Sequence, residues 1–446
     1  MCKRYIIALA SIILCLIFVW TYFLMSNHKT VEITPMAVFN QKEQITFMSS
    51  WGAYDSRAAK IKKIFNQLDE RYGYLDIEDA SIAGAEFLFI LKTDFANGND
   101  PNIFGLWPGS DFNLLVEEGK VADLTDLLMN NPSWYSLFKE TTWDTVTVDE
   151  RIYGLPIELI YEGLFINRDL FEAYQVKIPT NYEELLEAIK IFRANNIIPI
   201  AYNQTAEGSY IYQNMVMKLG GKEDVENPFD EDGKLKPCFC EGMYYMKELY
   251  ELGAFPTNWY SLDDKSRNEL FLDKKAAMIV QGSWLIGENV LDSNDITVEV
   301  VPFPDMPNGK ADSTAIIYGC GNGIFHMSSA AWEDTRLRDH CITILKELTS
   351  PSNVAILAED AGFISNIDLG QYAPEETIMG KKGDDLIARS NELVGAVDWY
   401  INRNIWENLI IKKFSSILRG TLTPEALCKQ VEEAMIQQKA IGEITK

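Results

Sequence analysis

The stretch GLFINRDLFEAYQVKIPTNYEELLEAIKIFRANNIIPIAY, residues 163–202, contains the pattern that decides the fold. Its first five residues, 163–167, form a short apolar run that predicts a buried strand. A helix is predicted next, with Thr180 as its N-cap and Glu183 completing a capping box, and residues 197–202 predict another strand. Strands that alternate with helices indicate an α/β architecture with mainly parallel strands.

The same alternation extends to both sides of this stretch. Residues 45–48 predict a first strand, residues 57–72 a helix, and three further strands are predicted at 86–91, 103–104 and 276–280. Later helices are predicted to begin at Ser350-Pro351 and Thr423-Pro424, where an N-cap residue precedes a proline. A chain of 446 residues is too long for one ordinary core, so at least two domains are expected.

The N-terminus predicts a membrane anchor. Lys3 and Arg4 precede an apolar run over residues 6–25, which is long enough to span a bilayer with the rest of the chain outside the cytoplasm. No small-residue cleavage site follows the run, and Leu14 before Cys15 makes a poor lipoprotein signal. An uncleaved signal anchor over residues 1–26 is therefore preferred to a cleaved or lipidated signal peptide, with a linker over residues 27–44.

Charge and composition exclude several classes of function. Sixty-five acidic residues against 40 basic ones give a net charge of −25, which repels nucleic acid. Three scattered histidines offer little to a metal ion, so neither a metal nor a cofactor is expected. Seven cysteines without regular spacing predict unpaired structural thiols beyond the anchor, at Cys238, Cys240, Cys320, Cys341 and Cys428.

Motifs for catalysis are absent from the sequence. It contains no P-loop, no H-E-x-x-H and no G-x-S-x-G. Glu158 and Glu162 resemble a glycosidase acid/base pair only superficially, because spacing along the chain does not give the separation of two carboxyl groups. The glycines of residues 319–323 are interpreted as a hinge rather than a dinucleotide loop. No catalytic residue is predicted.

Aromatic residues recur beside small or turn residues at the ends of predicted strands. Ligands of open α/β sheets bind at such ends, where flat rings can cover the C–H face of a sugar and polar groups can bond to its hydroxyls. The aromatic candidates are Trp51, Trp107, Tyr161, Tyr210, Trp284, Tyr318, Trp399 and Tyr400. The polar candidates are Asp111, Glu158, Asn203 and Gln281. The sequence therefore predicts a carbohydrate-binding cleft.

Several segments resemble one family. Residues 163–171 and 178–185 are similar to its strand-to-helix stretch, residues 275–284 to its K-A-A-M-x-x-x-G-x-W signature, and residues 420–427 to the start of its C-terminal helix. The chain thus resembles the extracellular solute-binding proteins of carbohydrate ABC importers, which include maltose-binding protein. The resemblance implies a two-lobed, type II periplasmic-binding-protein-like α/β fold with a hinge and an interlobe cleft. The apolar run over residues 6–25 predicts an N-terminal transmembrane helix before this fold.

The resemblance also implies lobe boundaries and site residues. Lobe 1 would comprise residues 45–157 plus 322–374, and lobe 2 would comprise 158–321 plus 375–446. Trp284 would stack on a sugar ring, with contacts from Tyr210 and from a first-lobe loop at Trp107 and Asp111. Trp51 would follow the first strand, and either Trp399 or Trp406 would add a contact from the C-terminal helices.

The function implied is capture of a sugar by hinge closure, without catalysis, in a monomer that docks on ABC permease subunits. One alternative is a sensory binding protein that serves a membrane receptor or histidine kinase. Others are an anchored glycoside-processing enzyme, or the same fold with a metal or peptide ligand.

Overall fold

The computed structural model describes residues 42–52, 55–83, 86–287, 290–359 and 362–444. The predicted signal anchor and most of the predicted linker lie outside these residues. Within the described ranges no helix has both the length and the apolar character required to cross a membrane.

The strands of the described residues form two main sheets and one small hairpin. They are β1 (Glu43–Met48), β2 (Leu75–Asp79), β3 (Ile103–Gly105), β4 (Thr147–Val148), β5 (Arg151–Ile152), β6 (Leu155–Pro156), β7 (Glu158–Asn167), β8 (Ile198–Ala201), β9 (Ala276–Gly282), β10 (Val298–Val301), β11 (Ile316–Cys320), β12 (Ile324–Met327), β13 (Ile364–Ser365) and β14 (Leu393–Val394).

Helices cover both main sheets. They are α1 (Ser56–Tyr72), α2 (Glu86–Asn97), α3 (Ser110–Glu117), α4 (Thr125–Met129), α5 (Pro132–Tyr135), α6 (Arg168–Ala173), α7 (Tyr182–Ala194), α8 (Tyr210–Glu226), α9 (Pro237–Glu251), α10 (Asp264–Leu272), α11 (Ser329–Glu333), α12 (Thr335–Leu348), α13 (Pro351–Leu357), α14 (Ile378–Arg389), α15 (Arg403–Ile405), α16 (Lys412–Leu418) and α17 (Pro424–Ile444). A π-helical segment, Trp406–Ile411, joins α15 to α16.

Each main sheet is the centre of one lobe. The first sheet has the order β2-β1-β3-β12-β6, and the second has the order β14-β11-β7-β9-β8, with β10 and β13 also paired to β7. The chain changes sheet between β6 and β7 and returns between β11 and β12. Strand β13 then pairs with the first two residues of β7. The two lobes are thus connected by neighbouring segments, which is the arrangement of a hinge.

Strand β7 organises the second lobe. All ten of its residues are buried, because helices pack on both faces of the sheet. It pairs antiparallel with β9, β10, β11 and β13, whereas β8 with β9 and β11 with β14 are parallel. The prediction of mainly parallel strands is therefore wrong, and the sheet is mixed. The strands that connect the lobes run in opposite directions, so they pair antiparallel.

Residues 86–91 differ from the prediction as well. They were expected to form a strand, but they are the first half of α2. Phe87, Leu91 and Phe95 are the buried residues of this helix, and their spacing of four places them on one helical face. The apolar run alone fits either element, and Phe95, one turn beyond the predicted strand, distinguishes the two.

The helix predicted to follow the quoted strand is present as α7, with its cap shifted by one residue. Asn181 is the N-cap, and its side chain accepts a hydrogen bond from the Glu184 backbone N–H at 3.0 Å. The Glu184 carboxylate in turn accepts from the Thr180 backbone N–H at 2.8 Å. The reciprocal bonds resemble a capping box, formed by residues one position later than predicted. At α13 the predicted N-cap, Ser350, is confirmed.

The cysteines are not all unpaired, which corrects the prediction. Cys240 in α9 and Cys428 in α17 form a disulfide with a Cα–Cα distance of 6.3 Å across a sequence separation of 188 residues. Cys238, Cys320 and Cys341 are free and buried. The pairing was not apparent from the sequence because the two residues come together only when α17 packs on α9.

Candidate ligand-binding site

A buried carboxylate and an indole ring lie side by side on one face of the second sheet. Glu162, in β7, is 1% exposed and is paired in register with Gly282 of β9. Residues directly opposite each other in an antiparallel pair point to the same face. Gly282 has no side chain, and the Trp284 ring fills that space: a Cβ at Gly282 would lie 2.0 Å from the indole Cζ3. The Trp284 ring is therefore beside Glu162.

A second indole lies on the other side of Glu162. Ile160, two residues earlier in β7 and hence on the same face, is paired with Gly319 of β11. Trp399 lies over this glycine, since a Cβ there would be 2.5 Å from the indole Cη2. Two glycines thus leave room for two half-buried tryptophans, one on each side of the glutamate. This arrangement has flat apolar walls and an acidic floor.

Helix α8 begins above this floor. The Tyr210 ring is 5.5 Å from the Trp284 ring, at 75° to it. One turn later, the Asn214 Nδ2 donates to Glu162 Oε2 at 2.9 Å and to the Tyr210 carbonyl at 3.0 Å. Both partners are acceptors, which fixes the orientation of the amide. The Asn214 Oδ1 is consequently a buried acceptor that has no donor among the described residues.

Arg403 connects the first lobe to the site. Arg403 donates to Asp398 Oδ2 at 2.9 Å and to Glu407 Oε1 at 2.7 Å. Its guanidinium carbon is 5.6 Å from the centroid of the Trp107 ring, which belongs to the first lobe. This is a cation–π contact across the cleft. Trp107 therefore meets the second lobe through Arg403.

The two lobes also touch beside Trp107. The Ser110 hydroxyl accepts a hydrogen bond from the Arg403 backbone N–H at 3.1 Å. Gly109 has a φ of 118°, and a Cβ at this position would lie 3.0 Å from both Cα and O of Trp399. Glycine is needed here for its backbone conformation and for the close approach. The lobes are thus in contact at the edge of the site.

Burial changes the proton affinity of the site. It raises the pKa of the Glu162 carboxyl well above its ordinary range; the nearby carboxylate of Asp398 raises it further, and the Asn214 amide opposes this. Burial also raises the pKa of Asp398, against the opposing effect of Arg403. The pKa of Tyr210 is raised well above its ordinary value by burial, with Glu207 and Glu162 adding to it. The site accordingly disfavours additional negative charge.

A buried network supports the loop that leads into α8. Glu207 accepts from Arg267 and from Gln281, each at 2.8 Å. Asn203 donates to Asp264 at 2.9 Å. Asn203 and Gln281, which were predicted to bond to the ligand, are thus fully buried and bonded within the protein. Their position indicates that they hold the Tyr210 loop in place.

The structure does not bring Trp51 or Glu158 to this site. Trp51 is fully buried in the first lobe against Phe325 and Phe363, with the Arg57 guanidinium over its ring at 4.9 Å. Glu158 is also fully buried, and it accepts hydrogen bonds from Arg57 and from the backbone N–H of residue 323, the latter at 2.8 Å. These residues join α1 to the start of β7, where the chain changes lobe.

Three further predicted residues lie elsewhere. Tyr161 follows Ile160 on the opposite face of β7, where it is buried against α14. Tyr318 is paired with Tyr161 and shares its face. Asp111, at the start of α3, is mostly buried and bonded to Lys92 at 2.7 Å. Of the ten predicted site residues, the structure places Tyr210, Trp284 and Trp399 around Glu162 and Trp107 next to Arg403.

Sequence reasoning left the C-terminal tryptophan undecided and missed most of the polar groups. Trp406 is fully buried and stacks on Tyr212, whereas Trp399 faces the site. Glu162 was considered only as a partner of Glu158, and Asp398, Asn214 and Arg403 were not considered. The available signal for Glu162 was a charged residue inside an apolar strand, which is rarely tolerated without a partner or a function.

Comparison with known proteins gives a match to the family described as bacterial extracellular solute-binding protein, over residues 53–324. A multiple sugar-binding protein from Streptococcus mutans is 21% identical over 307 residues, which is 67% of each chain. A galactooligosaccharide-binding protein from Bacillus subtilis is 24% identical over 250 residues, 51% of this chain and 52% of the relative. The chain thus matches between half and two thirds of the length of these relatives.

Solved structures share the fold. A chitin oligosaccharide binding protein superposes with a TM-score of 0.78 at 21% identity, covering 90% of this chain and 99% of that one. The maltose/maltodextrin-binding domain MalE from Bdellovibrio bacteriovorus, bound to maltotriose, gives 0.71 at 16% identity, covering 89% and 100%. The two-lobed α/β fold predicted from the sequence is confirmed. Because the family match covers more than half of its residues, the chain belongs to the bacterial extracellular solute-binding proteins.

Proposed function

We propose that this chain is the extracytoplasmic substrate-binding component of a carbohydrate ABC importer, and that it captures a saccharide in the cleft between its lobes. The observation that carries the proposal is the arrangement of Trp284 and Trp399 on either side of Glu162, on one face of the second sheet. The names of relatives such as the sugar-binding protein of Streptococcus mutans also support it.

The chemistry of the site suits a sugar ring. Indole faces bury the apolar C–H face of a pyranose, and carboxylate and amide oxygens accept hydrogen bonds from its hydroxyls. Covering about 200–300 Å² of apolar surface contributes roughly 5–7.5 kcal/mol at about 25 cal/mol per Å². Glu162 and Asn214 Oδ1 would then act as hydrogen-bond acceptors, and they would favour sugars whose donor groups lie opposite them.

Binding would be coupled to closure of the hinge. We assign residues 45–157 plus 322–374 to lobe 1, and 158–321 plus 375–446 to lobe 2. A ligand shifts the equilibrium toward the closed form only through contacts that are better in that form, so both lobes must contact it. Trp107 with Arg403 is the point where first-lobe and second-lobe groups meet beside the site. The protein would thus act by closing its lobes over the sugar and not by breaking a glycosidic bond.

The proposal extends to location and partners. Members of the family are extracellular or periplasmic, and residues 1–26 would hold this chain at the outer face of the cytoplasmic membrane as a signal anchor. The closed monomer would deliver its sugar to the permease subunits of the importer. No cofactor or metal is required for any of these steps.

The test is a thermal-shift screen of the full chain against mono- and oligosaccharides, since a ligand of the native state raises the melting temperature. We expect at least one saccharide to do so, and Trp284→Ala to weaken its binding by about 1.5–3 kcal/mol. Trp332→Ala is the matched control, because this half-buried tryptophan lies in the first lobe beneath Arg338. No response to a broad carbohydrate panel would contradict the proposal.

A further inference from the structure

Within the described part of the chain, the Glu162 carboxylate has no counter-charge. Among the described residues no lysine or arginine forms an ion pair with it, and its hydrogen-bond donor is the neutral amide of Asn214, at 2.9 Å. A buried carboxylate is normally paired with a cation or bonded to several donors, because its desolvation is costly. The residues that the structure describes therefore supply no cation to Glu162.

The cations nearest to the site are already used. Arg403 is bonded to Asp398 and Glu407, at 2.9 and 2.7 Å. Arg267 is bonded to Glu207 and to the side chain of Asn268, both at 2.8 Å. Neither guanidinium forms an ion pair with Glu162. Asn214 is 1% exposed, and its Oδ1 is a second buried acceptor that has no donor among the described residues.

The walls of the site favour a positive charge as well. The indoles of Trp284 and Trp399 flank the glutamate, and the Tyr210 ring closes one side at 5.5 Å from Trp284. Aromatic faces attract cations, most strongly where water is excluded. An aromatic enclosure around an unpaired carboxylate is a site for a group that is both cationic and rich in N–H donors.

We propose that the ligand of this site is an amino sugar or a glucosamine-containing oligosaccharide, whose protonated amine lies between the two indoles and donates to Glu162 and to Asn214 Oδ1. This inference rests on the proposed function and narrows its substrate class. A neutral sugar would offer no counter-charge to the ionised form of the buried carboxyl, and a uronic acid would add a negative charge beside it. The net charge of −25 further attracts a cationic ligand to the protein.

Three matched series of β-1,4-linked sugars test the inference. The glucosamine series, the N-acetylglucosamine series and the glucose series differ only in the C2 substituent, which is an ammonium, an acetamide or a hydroxyl. Isothermal titration of the full chain with the dimer, trimer and tetramer of each gives the affinities. We expect the glucosamine series to bind at least about tenfold more tightly than the other two.

Variants identify the group responsible. Glu162→Gln keeps the approximate volume of the side chain and removes its charge, so it should abolish the preference for the amine over the acetamide and the hydroxyl. Glu183→Gln makes the same charge change at an exposed position of α7 and should leave the preference intact. Melting temperatures of both variants confirm folding.

The outcomes are distinct. If the acetamide or hydroxyl series binds as tightly as the amine series, or if Glu162→Gln leaves the preference unchanged, the inference is overturned while the proposed function stands. If no saccharide binds in these series or in the broader panel, both fail together.

Discussion

Glu162 is the residue at which folding and binding make opposite demands. Folding places its carboxyl in a strand whose ten residues are all buried, next to Asp398 and with one amide as a donor. Binding, by contrast, uses an unsatisfied acceptor, because a ligand gains most where the protein has left a buried group without a partner. The proposed ligand thus accounts for a buried carboxyl that costs stability and has a single neutral donor.

Replacing Glu162 by glutamine should stabilise the ligand-free protein in a pH-dependent way. The folded pKa is raised, so the folded state loses stability as pH rises above the ordinary glutamate value of 4.5. Glutamine does not titrate, and the variant should exceed the parent by about 1–3 kcal/mol at neutral pH, with the difference shrinking as pH falls toward 4.5.

Urea denaturation from acid to neutral pH measures this difference. The charged or titratable groups that face Glu162 are Asp398, with its partner Arg403, and Tyr210, and both variant and parent retain them. Glu183→Gln should show no comparable trend. A stability difference that does not vary with pH would show that the charge of Glu162 is not its cause.

For individual residues, the sequence predicted the positions of the aromatic side chains around Glu162 better than those of the polar groups. Trp284 and Tyr210 were identifiable because aromatic residues next to turns and strand ends are recurrent positions for ligand contacts. The role of Glu158 was not identifiable, because its partner Arg57 is 101 residues away in the chain. Only the register of β7 with β9 separates Glu162, beside Trp284, from Glu158, beside the hinge.

Among the elements, the last helix is the one held by a covalent bond. The disulfide between Cys240 and Cys428 ties α17 to α9. Leu427 and Val431 of α17 are fully buried in the core of the second lobe, so the bond reinforces packing that already exists. An extracytoplasmic location is compatible with such a bond, because disulfides persist in oxidising compartments.

Cys240→Ser should lower the free energy of unfolding by about 2–5 kcal/mol, because the bond restricts the unfolded chain across a separation of 188 residues. Chemical denaturation with and without a reducing agent measures the loss. The reductant should destabilise the parent to the level of the variant and leave the variant unchanged. An equal response of both proteins to the reductant would assign the effect to another site.

The elements also show why local sequence is an incomplete guide. The helices at α7 and α13 could be placed to within a residue or two because their capping residues act locally. The start of α2 was predicted wrongly because the five-residue apolar run that follows Glu86 fits a strand and a helix alike. The disulfide could not be predicted, because pairing depends on which helices pack together and not on cysteine spacing.

For the whole molecule, closure depends on how near the two lobes can come. Gly109 of the first lobe lies against Trp399 of the second, and Ser110 bonds to the backbone of Arg403 at 3.1 Å. The family resemblance in the sequence predicted two lobes, but not which residues touch when they meet. Such contacts join segments about 290 residues apart, as the separation of 293 between Ser110 and Arg403 shows.

Gly109→Ala should weaken binding of every ligand at least about tenfold, which corresponds to about 1.4 kcal/mol, because the added methyl holds the lobes apart. A Cβ there would be 3.0 Å from Trp399 backbone atoms. Titration calorimetry measures affinity, and small-angle scattering should show a variant that stays expanded with saturating ligand.

The control for this change is Gly221→Ala. Gly221 has a φ of 68° and a ψ of −177°, and Gly109 has a φ of 118° and a ψ of −161°, so both lie in a region that essentially only glycine adopts. A Cβ at Gly221, in α8 of the second lobe, would have its nearest neighbours at 3.6 Å, which is an ordinary contact. The two substitutions therefore impose similar backbone strain, and only the first obstructs closure. Comparable affinity losses in both variants would mean that strain, and not the interlobe contact, explains the result.

The contact of Arg403 with the Trp107 ring gives the protein an intrinsic optical reporter. The guanidinium and the indole belong to different lobes and are 5.6 Å apart when these meet. Indole emission responds to a neighbouring charge and to water. When the lobes separate, Trp107 therefore loses the nearby guanidinium charge and becomes more accessible to water. Fluorescence of the unlabelled protein, with Trp107→Phe as the blank, can therefore follow each opening and shutting in real time.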